Sequence, residues 1–143
     1  MFSKQSKYYF TVIALFVSLS LFSQDEQRIE SLKIGFFTEK LDLTPKESEA
    51  FWPLYRSFKG SMNELKKENR GLSRRVRLLS DEEELESIFE EFLANKEEEI
   101  SASKKFHQDL AEVLPRRKAI LVFFVEREFN AKLLQSIRKN RKN

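Results

Sequence analysis

Large apolar residues recur at steps of three and four along most of this chain, and that period predicts helix after helix. In the first stretch, from about Asp25 to Lys40, Ile29, Leu32 and Phe36 fall on one face, which Phe37 and Leu41 widen. The second carries Phe51, Tyr55, Phe58, Met62, Leu65 and Leu72 in a four-three rhythm, with Asn69 as its one polar member. Such a seam over three heptads predicts a long helix in a hairpin or coiled coil. In the third, Leu85, Ile88, Phe89, Phe92 and Leu93 form an apolar face, and Phe106, Leu110 and Val113 resume it. Lys96, Glu99 and Ser103 interrupt that face, which predicts a thin hairpin whose middle is exposed on both sides. The fourth stretch runs from near Pro115 to about Lys139 and holds an unbroken apolar run from Ala119 to Val125. Taken alone, that run suits a strand. The proline before it, Glu126-Arg127-Glu128 after it, and the continuing stripe of Phe129, Leu133 and Ile137 make it a helix. A helix apolar on nearly every side is either covered all round, in a homodimer included, or presents a patch to a partner. The pattern leaves both open.

Start signals divide these stretches. In Leu43-Thr44-Pro45-Lys46-Glu47, threonine caps, proline takes the first helical position, and Glu47 reaches back to the cap. Ser80-Asp81-Glu82-Glu83 reads as a second capping box, with acids placed to suit the helix dipole. Pro53 falls inside the second helix, where it removes one ladder bond and predicts a bend near Trp52. Trp52 itself either packs at that bend or lines a binding face. Gly and Pro number only three each, which is a helical composition. The expected fold is all-α: a four-helix hairpin-type layer of a short helix, two long helices and a C-terminal helix. A thin layer of about 120 residues buries little surface by itself, so pairing into a dimer is expected.

The start of the chain changes how the charge is read. Residues 1–23 have the plan of a secretory signal: Lys4 and Lys7, an uncharged apolar run from Tyr8 to Phe22, then Ser23 before Gln24. The run falls short of the roughly 20 residues that a comfortable membrane span needs, with an uncleaved N-terminal anchor as the alternative. No cysteine follows it to carry a lipid anchor. The expectation is an exported, periplasmic domain at residues 24–143, touching membrane only if the signal stays attached. The chain has 26 basic and 23 acidic residues, and residues 1–23 hold two of the lysines and no acid. The remainder is therefore 24 against 23, without the basic surface that nucleic acid requires. Its charge is segregated: Arg74, Arg75 and Arg77 precede a glutamate-rich stretch at 81–99, and Arg138, Lys139, Arg141 and Lys142 end the chain.

Site chemistry is sparse. The one histidine, His107, and the absence of cysteine exclude imidazole or thiolate metal sites within one chain. There is no phosphate loop, no Gly-x-Ser-x-Gly elbow and no cysteine nucleophile. The reading is a binding protein with no cofactor and no catalysis. Its candidate protein-binding residues are Leu121, Phe123 and Phe124 with Arg116, Arg117, Arg74, Arg75 and Arg77, an apolar surface ringed by charge.

The order of these signals, with Leu43-Thr44-Pro45-Lys46-Glu47 and a second, weaker copy at Val113-Leu114-Pro115-Arg116-Arg117, resembles the Spy/CpxP-like family and its repeated L-T-x-x-Q motif. Only Pro115 is kept in the second copy. The stretch from Phe36 to Pro45, followed by Phe51-Trp52-Pro53, is similar to a Bacteroidetes-type branch described as sensors of extracytoplasmic-function sigma factors. The resemblance implies a curved helical hairpin that dimerises into a cradle and binds unfolded or envelope proteins. It equally admits a dedicated partner of an envelope signalling system.

Overall fold

A computed structural model describes residues 27–140. The signal reading of residues 1–23 lies outside the described residues, as do Arg141 and Lys142. The chain is all-α: among the described residues there are four helices and no strand. Helix α1 covers residues 27–41, α2 is Pro45–Val76, α3 is Glu82–Val113 and α4 is Arg116–Asn140. None is long and apolar enough to cross a membrane. Two compact units divide the described residues: one takes 27–42 and 125–140, the other Leu43–Phe124.

The larger unit is built on the α2–α3 hairpin. Asn69 meets Asn95, Phe58 stacks on Phe106, and Arg75 reaches Glu84 and Glu91, so the two helices run antiparallel. Helix α2 begins as its sequence predicts. The Thr44 hydroxyl accepts from the Glu47 amide at 3.3 Å, and the Glu47 carboxylate accepts from the Thr44 amide at 2.8 Å. That reciprocal box satisfies two amides with no partner in the first turn. Helix α2 continues without a break through Pro53. Helix α3 starts one residue later than the expected box, because Asp81 rather than Ser80 is the cap and accepts from the Glu84 amide at 3.0 Å. Phe51, Tyr55, Leu65, Leu72, Ile88, Phe106 and Leu110 fill the seam, and Ala119 and Val122 of α4 are fully buried.

The middle of the hairpin corrects the expected two-sided exposure. Asn69 and Asn95 are buried there. Asn95 donates to Asn69 at 3.0 Å and Asn69 to Glu99 at 3.3 Å, while Lys96 holds the Glu99 carboxylate at 2.9 and 3.1 Å. Among the described residues no buried side-chain polar atom lacks a partner. The interrupted stripe is therefore a satisfied polar layer between the helices, which avoids the penalty of an unpaired buried amide.

In the smaller unit α1 packs on the second part of α4. Phe37 and Leu41 are buried with Val125 and Phe129, and both Phe36 and Phe37 meet the Phe129 ring, at 5.6 and 6.3 Å. Leu32, expected on the apolar face, is exposed. Lys40 and Lys132 both reach Glu128 at 3.2 Å, and Lys132 also lies 4.8 Å from the Phe36 ring. Asp42 ends α1 with a φ of 49°, the left-handed turn that a short polar side chain tolerates.

Candidate protein-binding groove

The apolar run of α4 resolves by helical geometry into two faces. Ala119, Val122 and Val125, three residues apart, are buried, whereas Ile120 and Phe124, one turn apart, are exposed. Within one chain, then, the helix is not covered all round: one side is core and the other is exposed. Leu121 and Phe123 are half-buried between them.

Phe123 is locked in place. Its ring meets Phe106 at 5.8 Å, Phe58 at 6.4 Å and His107 at 6.3 Å, and Phe58 and Phe106 are themselves stacked at 4.3 Å. Aromatic clusters of this kind gain tilted and offset ring contacts beyond area burial. The cluster carries an open groove of about 610 Å³, lined by Met62 of α2, Ile100, Ser103, Lys104 and His107 of α3, and Ile120, Phe123 and Phe124 of α4. Phe124 remains 64% exposed and Ile100 57%. Glu99 also borders it, but its carboxylate is engaged by Lys96 and Asn69, so Lys104 supplies the charge of the rim on α3.

Helix α4 begins Arg116-Arg117-Lys118, three cations where the helix dipole favours anions, and no acid shares its first turn. Lys118 is answered by Glu47 at 2.9 Å. Arg116 and Arg117 are exposed, one turn before Ile120. The Glu47 carboxyl is held below the usual carboxylate range, first by the Thr44 amide and then by Lys118.

Not all the expected residues assemble here. Leu121, Arg116 and Arg117 do not line the groove. Arg74, Arg75 and Arg77 sit at the hairpin tip, about 18 Å or more along α2 from Met62 at 1.5 Å per residue. Arg75 there spans to Glu84 and Glu91 at 3.9 and 3.6 Å. Trp52 is 8% exposed, within about 5.5 Å of the Phe51 and Tyr55 rings, which makes it core. Pro53 is exposed and Leu43 buried beside the capping box; Pro115 offers its carbonyl to the Ala119 amide at 3.1 Å and so opens α4. Of the apolar groove residues, Ile100 is the one that periodicity missed; Met62 was read into the seam of α2 and Ile120 into the apolar run of α4. Ile100 stands seven residues after Leu93, one stripe round from the buried seam, and that second stripe was the available signal. Among the described residues no cluster of three or more His, Asp or Glu side chains is arranged to hold a metal ion. Comparison with protein-family models, with curated proteins and with solved structures returns no match to this chain.

Proposed function

We propose that this chain is an exported envelope protein that binds other polypeptides, as a chaperone-like protein or stress sensor of the Spy/CpxP-like kind. The observation that carries the reading is the groove: Ile100, Ile120 and Phe124 stand exposed on an aromatic floor, with Lys104 in its lining and Arg116 and Arg117 exposed one turn before Ile120 on α4. Apolar contact that tolerates many sequences, approached through a basic rim, suits unfolded segments carrying acidic residues. Exposed aromatic and arginine side chains are also the residue types that anchor protein interfaces.

The test is light scattering by an aggregating client, with and without the purified protein, at two salt concentrations. We expect suppression that weakens as salt screens the rim. Phe124→Ala keeps the helical circular dichroism, because the side chain is mostly in solvent, and loses most of the suppression. A folded protein that leaves aggregation untouched overturns the chaperone reading in favour of a dedicated signalling partner, which an envelope pull-down would then identify.

A further inference from the structure

The groove between α3 and α4 offers side chains and no free backbone. Its walls are interior turns of α2, α3 and α4, whose amides and carbonyls are spent on bonds along each helix. Two of its polar side chains are engaged as well. The Ser103 hydroxyl donates to the Glu99 carbonyl at 2.8 Å, and the Glu99 carboxylate is held by Lys96 and Asn69. An extended peptide laid on this floor would lose water from its own amides and carbonyls and find no partner for them. A helix arrives with its backbone already bonded and needs only an apolar stripe to match the groove.

One charge in the lining is left unanswered. Of the lysines of α3, Lys96 is held by Glu99 at 2.9 Å and Lys105 by Asp109 at 2.8 Å. Lys104 has no such partner. The positions that neighbour it on its own helix, 100, 101, 107 and 108, hold Ile, Ser, His and Gln, and it makes no ion pair or hydrogen bond among the described residues. It stands exposed on the lining stripe, one turn from Ile100 and one turn from His107. A lone ammonium in an otherwise apolar groove is complementary to a carboxylate carried by the occupant. We propose that the groove takes an amphipathic α-helix of its client, with apolar residues at steps of three and four and, among them, a carboxylate that meets Lys104. The inference rests on the polypeptide-binding reading above and narrows it, because the seated segment is helical rather than extended. Ile100 to His107 spans about 10 Å of α3, two turns of the occupant. So short a contact binds reversibly, with a dissociation constant on the order of tens of micromolar.

The probe is a dye-labelled peptide of about 18 residues, with leucines along one helical face and a central glutamate among them. Its anisotropy, titrated with the purified protein, gives the affinity. Exchanging a solvent-facing alanine at mid-peptide for proline breaks the helix without removing a groove contact, and binding should fall at least about tenfold. Circular dichroism of the mixture should exceed the sum of its parts, as the partly helical free peptide completes its helix. Exchanging the glutamate for lysine should weaken binding about threefold. Lys104→Glu, at an exposed and unpaired position, keeps the fold and should reverse that preference. Equal binding of the helical and proline peptides, lost in Phe124→Ala, overturns the helical occupant and leaves the polypeptide-binding reading in place. A preference unmoved by Lys104→Glu overturns Lys104 as the partner of the carboxylate. Binding of neither peptide overturns the proposal outright, and the aggregation assay then decides the wider reading by itself.

Discussion

Glu47 accepts from the Thr44 amide and the Lys118 ammonium, and Glu128 is bridged by Lys132 and Lys40. Both carboxyls are held below the usual range, Glu128 chiefly by the hydrogen bond from Lys132 and then that from Lys40. A depressed folded value fixes the sign of the pH effect. The stabilisation is complete above the unfolded carboxyl value and disappears as pH falls through the lower folded one. Glu47→Gln combined with Glu128→Gln should therefore lower the melting temperature at neutral pH and leave a flatter decline on acidification. Melting curves taken from neutral pH down into the acid range check both. Thr44 and Glu47 were legible in the sequence because a capping box is local. Lys118 was not, since the chain offers many lysines and only the fold brings this one, 71 positions away, to the cap.

Helices were legible through their period, and α2 through its seam, but a period does not say which stripe meets a partner. In α1 the apolar positions fill two overlapping stripes, and Phe129 of α4 selects Phe37 over Leu32. In α3 the polar stretch read as solvated because an amide carries no hydropathy signal until its partner is known. Asn95 and Asn69, one on each helix, then fix the register, as a lone buried polar pair does in coiled coils. Replacing Asn69 by Leu strands the Asn95 amide and frees one side of Glu99, at a cost of about 1–3 kcal/mol. Replacing Asn95 by Leu as well should recover much of that loss. A double-mutant cycle from denaturant melts measures the coupling, and additive losses would mean that the two amides stabilise the hairpin separately.

The molecule divides into two units that share one helix, and the division gives it uneven cooperativity. Among the described residues, the buried apolar side chains of the smaller unit are Phe37, Leu41, Val125 and Phe129, whereas the hairpin has a long seam. Phe129→Ala removes a ring from that small core, a change of about 3–5 kcal/mol for a buried phenylalanine. It should release the amides of α1 to hydrogen exchange while those of α2 and α3 keep their protection. Uniform loss of protection would mean that the units fold as one. The same division limits what optical probes can see. The sole tryptophan, Trp52, lies in the hairpin unit between Phe51 and Tyr55. Its emission should be blue-shifted and should track the hairpin alone, blind to α1 and to the second part of α4. Circular dichroism counts every helix. A melt followed both ways will yield two midpoints whenever the smaller unit opens first, so a single melting temperature read from fluorescence would overstate the stability of the whole chain.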